Sequence, residues 1–392
     1  MPKFVLAVCA LIRNFAADMA GIYLHIPFCK SRCIYCAFFS TTTVGERQHY
    51  VDALCAEARQ RPNDDLIETV YLGGGTPSQL TPSQLRQLFD SLYNIYKVSP
   101  TAEVTIECNP DDITPEYAEA LSQLPVNRVS MGAQTFDDRR LSFLHRRHTA
   151  SQVGCAVSLL RNAGIQNISI DLMYGFPGET LSDWEADIAA ALALNVEHLS
   201  AYCLMVEEGT ALYKLMSENR NCPLSDLSIL NEEQERSMYY LLIDRLEVAG
   251  YEHYEISNFA RPGFRSRHNS SYWTDVPYIG LGAAAHSYDG RERRWNPSDL
   301  AIYIKGIEAG QPVCESEPID ATTHYNDRVM LALRTSDGLD LTTLSDADRH
   351  YLQHLAKKYL DEGLLIISGN RLRLSKSSLF VSDMVISDLM RV

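Results

Sequence analysis

The chain has 392 residues, 46% hydrophobic and 22% charged, with 21 glycines and 16 prolines. That composition fits a globular protein of two to three domains and excludes a disordered or collagen-like chain. A net charge of −15 disfavours a general binder of nucleic acid or anionic membranes, and the longest apolar stretch, Phe4 to Ile12, is about half the ~18 residues that span a bilayer.

Near the N-terminus Pro2-Lys3 is followed by that apolar run, which resembles a short signal peptide. Arg13, Asn14 and Asp18 follow without a small-x-small cleavage site, and a second methionine stands at 19. Residues 1–20 are therefore read as an extension, with Met19 as an alternative start, and a cytoplasmic protein is expected.

From Gly21 the chain alternates β-rich runs with helical patterns. The strand candidates are 21–26, 68–74, 103–108, 127–132, 167–175 and 198–205, each apolar and rich in Val, Ile or Tyr. Helices are expected over 44–60, from Thr81-Pro82-Ser83 to Tyr96, from Thr114-Pro115, and over 150–163 and 180–193. Six such strand–helix units predict an α/β fold built on an open (β/α)6 TIM-like barrel over residues 21–225. A long helix near 226–249 and a strand at 251–259 open a barrel extension, residues 226–312, whose segment 260–297 is rich in Arg, His, Tyr and Trp. Residues 313–392 read as helix, helix, a hairpin at 364–375 and a last helix near 377–390, which is a winged-helix-like module. Over 321–392 its basic and acidic residues balance, so it reads as a lid or docking module rather than a DNA-binding wing.

There are ten cysteines. Cys155 and Cys203 lie in apolar runs and read as small core residues. Three are packed into one loop after the first strand: Cys29-Lys-Ser-Arg-Cys33-Ile-Tyr-Cys36. Zinc asks for four ligands, usually as two close pairs, and no second pair is present; a zinc-stabilised binding protein is the reading from another class. Ferredoxin-type clusters use four cysteines at other spacings. Three thiolates on a [4Fe–4S] cube would leave one iron open, and an open iron can take the amino and carboxylate groups of S-adenosylmethionine (SAM).

SAM also needs polar partners. Gly74, Gly75 and Thr76 end the second strand and offer bare backbone to its amino group. Glu107, Gln134, Arg146 and Asp171 lie at or just beyond the C-terminal ends of strands three to five, the face where barrels build their sites. Tyr23 and Tyr35 would pack around the ligand, and Met205 would flank its adenine.

YLHIPFCKSRCIYC, together with GGGTPS at 73–78, TIECNP, SMGAQTF, LSFLHRRH and ISIDLMYGFPGET, resembles the pattern of radical SAM enzymes related to oxygen-independent coproporphyrinogen III oxidase. The resemblance covers about residues 21–310, and the tail after 320 is similar to that family's C-terminal module. It implies a [4Fe–4S] cluster on Cys29, Cys33 and Cys36, bound SAM, and an electron donor such as a flavodoxin or ferredoxin. The oxidase carries a further cysteine two residues after the last ligand, where this chain has Phe38, and a longer segment before the first strand. Both departures point to its sister group, the HemW-type haem chaperones. His268-Asn269-Ser270-Ser271-Tyr272-Trp273 is similar to the HNxxYW element of that group. The resemblance implies haem as a bound group, apo-haemoproteins or a haem donor as partners, and no coproporphyrinogen oxidation; the oxidase is the alternative. His268 is the expected haem ligand, with His25 and His286 as lesser candidates. Tyr272 and Trp273 would cover the porphyrin, and Arg261, Arg265 and Arg267 would meet its propionates.

Overall fold

The structure, a computed structural model, describes residues 20–217, 230–311 and 313–391. The Phe4–Ile12 run, Met19, Cys9, Cys222, the start expected for the long helix at 226 and Pro312 lie outside the described residues.

The elements run β1 (Ala20–Ile26), α1 (Arg47–Gln60), β2 (Leu66–Gly74), α2 (Pro82–Ile95), β3 (Lys97–Cys108), α3 (Pro115–Ser122), β4 (Arg128–Gln134), α4 (Asp138–Phe143), α5 (Ala150–Asn162), β5 (Asn167–Tyr174), α6 (Leu181–Ala193) and β6 (His198–Cys203). Strands β1 to β6 are neighbours in sequence order and every pair is parallel. A doubly wound nucleotide fold would reverse its strand order at a switch point. A sequential parallel order is that of a (β/α) barrel arc, as the alternation predicts. Helix starts are built from local chemistry. Thr81 and Gln84 close a reciprocal cap on α2 with Pro82 in its first turn, and Thr180 and Asp183 do the same for α6. Helix α2 then buries Leu85, Leu88, Phe89 and Leu92, the i, i+3, i+4, i+7 stripe that faces the sheet.

After α7 (Ala211–Ser217), the chain continues through α8 (Glu232–Val248), β7 (Glu252–Glu255), β8 (Asn258–Ala260), α9 (Arg267–Tyr272), β9 (Tyr278–Leu281), β10 (His286–Tyr288), β11 (Glu292–Trp295), α10 (Leu300–Glu308) and β12 (Glu315–Pro318). These strands extend both ends of the arc. β9 pairs in parallel with β1, and β8 pairs antiparallel with β6. The alternation over 251–259 is thus a tight hairpin rather than one strand. The Glu255 carboxylate accepts from the Ser257 backbone N–H and the Asn258 side chain, which reverses the chain within two residues.

The C-terminal part comprises α11 (Ala321–Leu333), β13 (Leu339–Asp340), α12 (Asp346–Asp361), β14 (Leu365–Ser368), β15 (Arg371–Leu374) and α13 (Ser382–Ser387). Its three strands order as β13-β15-β14. It has its own core around Val329, Leu352, Leu365, Leu372 and Val385, separate from the barrel core. The last helix is shorter than its pattern suggests: Lys376–Val381 is a 3-10 turn leading into α13.

Two cysteines depart from expectation. Helix α5 buries Val153, Ala156, Val157 and Leu160, so Cys155 falls on the opposite face and is exposed. Cys203, at the last residue of β6, is only half-buried, because strand ends open onto a cavity.

Beside the strand pairing, a buried carboxylate ties the extension to the arc. Glu57 of α1 accepts from Gly282 N at 2.8 Å, Tyr303 Oη at 2.7 Å, Asn296 Nδ2 at 2.8 Å and Arg61 Nη1 at 3.2 Å. Replacing Glu57 by Ala orphans three buried donors. We expect a loss of about 3 kcal/mol in urea unfolding, and a smaller loss for Glu57→Gln, which keeps one acceptor oxygen.

Candidate functional site

The C-terminal ends of the parallel strands surround one cavity of about 500 Å³, within the usual range for small-molecule sites. Cys29, Cys33 and Cys36 line it, with Tyr35 between them. Gly74, Gly75 and Thr76 line it from β2, Glu107 from β3, and Gln134 from β4. Arg146 reaches it from the loop after α4, Asp171 from β5, and Met205 from beyond β6. Twelve of the fourteen site residues singled out by the sequence therefore meet at one place; Tyr23 and His268 do not line it.

The cysteine loop is held at three points. At its root, Cys29 N donates to Thr41 O at 2.9 Å and Thr41 N to Pro27 O at 2.7 Å. In its middle, Ile34 is buried with Phe143, Leu144, Phe176, Leu204 and Leu212, an apolar plug between the second and third thiols. Backbone bonds from Ile34 N to Leu144 O and from Leu212 N to Ile34 O fix that plug. On its flank, Lys30 Nζ meets Asp112 Oδ1 at 3.2 Å. Burial pushes the Cys29 and Cys36 thiols up; Thr76, whose hydroxyl lies 3.3 Å from Cys29 Sγ, pulls the first back. Arg146 Nη1 approaches Cys33 Sγ at 3.6 Å, a fixed positive charge beside the thiols. Among the described residues no group of three His, Cys, Asp or Glu side chains is placed to hold a single metal ion. A cubane takes its thiolates on separate irons and asks for a wider triangle, and three thiols on one cavity wall fit that demand.

Glycine creates the room opposite. Gly74 has φ +107°, and a Cβ there would lie 2.6 Å from the His25 ring. At Gly132 a Cβ would meet Gln134 Nε2 at 2.6 Å and Arg146 Nη2 at 3.0 Å. That space lets Arg146 Nη2 donate to Gly132 O at 2.6 Å and Asn109 Oδ1 at 2.7 Å. Glu107 accepts from Tyr71 Oη at 2.7 Å and from Gly74 N at 3.2 Å. Burial raises its carboxyl to about 7, against the pull of the Tyr71 hydroxyl. Burial also raises Asp171, which the Ser200 hydroxyl and Arg128 draw back down. Two carboxyl groups poised this way, one guanidinium and a glycine-lined strand end can receive a ligand bearing both charge signs.

The histidine assignments fare differently. His268 is fully buried, away from the cavity, against the lower part of β1 and β2. Its Nδ1 lies 2.8 Å from Thr69 Oγ1 and its Nε2 2.8 Å from Tyr272 Oη. Burial lowers its pKa to about 3, so it is neutral at ordinary pH. With both nitrogens bonded, it offers no lone pair to iron in this arrangement. His25 is similarly engaged, by Phe39 O at 3.0 Å and Tyr23 Oη at 3.2 Å, and His286 stacks on Trp295 at an exposed strand. Tyr23 lies beneath the cavity, stacked on Tyr71. The three arginines are committed elsewhere: Arg261 to Asn195, Arg265 to Glu252 and Asp337, and Arg267 to Glu68.

Sequence reasoning missed Asp111 and Asp112. Asp112 accepts from Ser78 Oγ at 2.7 Å, Gln79 Nε2 at 2.6 Å and Arg147 Nη2 at 3.1 Å as well as from Lys30, and Asp111 pairs with Arg147 at 2.7 Å. An acidic pair directly after a strand-end Asn-Pro was the available signal. His145 was also missed; it lines the cavity mouth with a left-handed backbone, φ +60°.

Known proteins resemble the chain over most of its length. The radical SAM superfamily profile matches residues 23–191, and the HemN C-terminal domain profile matches 319–381. The chain is 36% identical to the heme chaperone HemW of Bacillus subtilis over 327 residues, 82% of this chain and 85% of that protein. It is 34% identical to HemW of Mycobacterium tuberculosis over 380 residues, 94% of each. Among solved structures, coproporphyrinogen III oxidase (HemN) from Escherichia coli superposes with a TM-score of 0.82 at 20% identity, over 98% of this chain and 92% of that one. At that identity the likeness concerns the fold.

The Asp112 junction gives a direct test of how the loop is held. Asp112→Ala removes a charged acceptor shared by four donors. It should cost about 2–3 kcal/mol in chemical denaturation and slow the incorporation of iron and sulfide at the neighbouring thiols.

Proposed function

From the premise that the chain belongs to the HemW family of radical SAM proteins, we propose that it binds haem and delivers it to apo-haemoproteins. As a radical SAM protein it works with a [4Fe–4S] cluster and SAM. In our reading Cys29, Cys33 and Cys36 would hold the cluster, which when bound would supply an open coordination position and an electron for SAM. The remaining work belongs to side chains of the chain. Arg146 offsets the negative charge of the thiolates, Gly74 and Gly75 present backbone to the amino group, and Glu107 and Asp171 receive hydroxyl and ammonium donors. Gln134 and Thr76 bound the same space, and Tyr35 and Met205 close its walls. The observation that carries this reading is the convergence of the three thiols and these polar groups on one cavity.

Coproporphyrinogen oxidation is not favoured. Relatives that match most of the chain include heme chaperones HemW of several bacteria, whereas the oxidase shares its fold at 20% identity. Phe38, where the oxidase pattern has a cysteine, is 73% exposed at the cavity mouth. Its benzyl group cannot donate a hydrogen atom or a proton as a thiol can. The chain supplied with SAM, reductant and coproporphyrinogen III should therefore yield no protoporphyrinogen IX, while haem titration should give a saturable Soret band. Product formation at ordinary turnover would return the assignment to the oxidase. A flavodoxin or ferredoxin as electron donor, and work in the cytoplasm, belong to the same proposal, since free thiols persist in a reducing compartment. No described helix is long and apolar enough to cross a membrane.

Alanine at Cys29, Cys33 or Cys36 should abolish the iron–sulfur absorbance after anaerobic reconstitution, and Cys55→Ala and Cys108→Ala should retain it. Loss of the cluster in a folded variant outside the triplet would overturn the ligand set.

The raised Glu107 carboxyl sets a pH dependence. It faces Tyr71, the Gly74 N–H, Asp171 and Arg128. Below its midpoint of about 7 it is protonated and a poorer acceptor. SAM affinity measured by calorimetry should therefore rise between about pH 6 and about pH 8 and then level off, and Glu107→Gln should flatten the rise. An unchanged profile in that variant would remove Glu107 from this role.

A further inference from the structure

Two arginines are buried among the described residues, and only one of them has a carboxylate partner. Arg140 pairs with Glu179 at 3.0 Å. Arg128, at the start of β4, is 1% exposed; among the described residues it forms no ion pair, and its Nε has no hydrogen-bond partner. Its place follows from the strand register. Ser130 and Gly132 line the thiol cavity, so Arg128 falls on the same inward face of β4, at the lower end. Thr105 stands opposite Arg128, Glu107 opposite Ser130, and Asp171 opposite Gly132. The guanidinium is thus rooted below both carboxyl groups of the cavity. Glu103, one inward step further down β3, has its two oxygens on the Arg267 and His268 backbone N–H groups, each at 3.0 Å. His198 and His268, both fully buried, are held neutral by burial first and by Arg128 second, so neither imidazole adds a charge.

An unpaired buried guanidinium is costly, and its position explains what it offsets. Glu107 and Asp171 are like charges lining one cavity. Burial raises the Glu107 carboxyl; the Tyr71 hydroxyl pulls it back, Asp171 pushes it further up, and the Gly74 N–H and Arg128 draw it down. Burial raises Asp171 as well; the Ser200 hydroxyl and then Arg128 draw it down, followed by Arg146 and Ser130. The remaining neighbours, Tyr23, Tyr202 and Tyr272, are phenols that burial holds un-ionised. A cation in direct contact would stabilise the two carboxylates too, but it would occupy their oxygens, as four donors occupy Asp112. A cation held at a distance acts through its field alone and leaves those oxygens open to the hydroxyl and ammonium donors of a ligand. Resting on the reading of Glu107 and Asp171 given above, we propose that Arg128 is a positioning residue of the SAM site: a buried counter-charge, rooted beneath the two carboxylates, that allows both to be ionised together and to receive the ligand. Guanidinium suits the task because it keeps its proton where a buried ammonium would lose it.

SAM is titrated by calorimetry into the full chain with its cluster reconstituted, from about pH 6 to about pH 9. Arg128→Met keeps the length of the side chain and removes its charge. It should weaken SAM binding about tenfold at about pH 7.5 and move the rise in affinity upward by about one pH unit. Arg128→Lys should stay within about threefold of the parent at about pH 7, then lose affinity above about pH 8, where the parent is level, as the buried amine gives up its proton. In an Asp171→Asn background Arg128→Met should cost about twofold at most, because most of the charge it serves is gone. If Asp171→Asn and Glu107→Gln both bind SAM as the parent does, the reading of the carboxylates falls and the role of Arg128 falls with it. If those two variants weaken binding while Arg128→Met keeps the parent affinity and midpoint, or adds its full loss in the Asp171→Asn background, the role of Arg128 alone is overturned. Should Arg128→Met melt too early to be titrated, the alkaline limb of Arg128→Lys decides, and a profile parallel to that of the parent overturns the assignment.

Discussion

Three thiols on one short loop must face the same cavity without closing on one another, and most of the site follows from how that loop is restrained. A free loop of this length would fold its cysteines together or oxidise them. Here Thr41 anchors the root, Ile34 is driven into an apolar plug between Cys33 and Cys36, and Asp112 ties the flank to the turn after β2 and to the segment after α4. Hydrophobic burial and charge-assisted hydrogen bonds act at different points of the loop. The thiols are therefore the part left free to bind.

The barrel interior beneath them is unusual in composition. Small barrels are commonly filled with branched aliphatic side chains, whereas this one carries a column of His268, Tyr71, Tyr23 and Glu107. His268 stacks on Tyr71 with centroids 5.0 Å apart, Tyr23 stacks on Tyr71 at 6.2 Å, and the Tyr71 hydroxyl bonds Glu107. Such a column is tolerable only if every polar atom finds a partner. Thr69 and Tyr272 satisfy the imidazole, and burial keeps it neutral, so no net charge is trapped there. The same burial holds the Glu107 carboxyl near neutrality, which makes the acceptor sensitive to pH where the protein works.

The two ends of the column face different chemistry. At the top, strand ends, glycines and carboxyl groups surround the thiol cavity. At the bottom, the segment from Ser266 to Asp275 caps the strands and meets the C-terminal part. Glu103 holds the N–H groups of Arg267 and His268 at 3.0 Å, so the short helix α9 is bolted to β3 before its aromatic residues turn outward. One element thus plugs the barrel and contributes the wall of a separate cleft.

The parallel arc, the thiol loop and the polar cavity were legible in the sequence because each rests on local signals. Period and β-branched content mark the strands, Thr-Pro pairs mark helix starts, and a barrel puts its strand ends on one face. The hairpin at 251–259 was not legible, because the Glu255 acceptor that reverses the chain is invisible to an alternation pattern. Nor was the outward face of Cys155, where an apolar run hid the helical register. His268 is the plainest case. Its sequence context suggests a metal ligand, yet an imidazole ligates only if a nitrogen is free. Thr69 lies far away in sequence and Tyr272 one helical turn on, and between them they occupy both nitrogens. Residue type and spacing determined which chemistry this chain carries. Only the tertiary structure decided which of those groups are left unbonded to perform it, because hydrogen-bond partners and burial are set by contacts between residues distant in sequence.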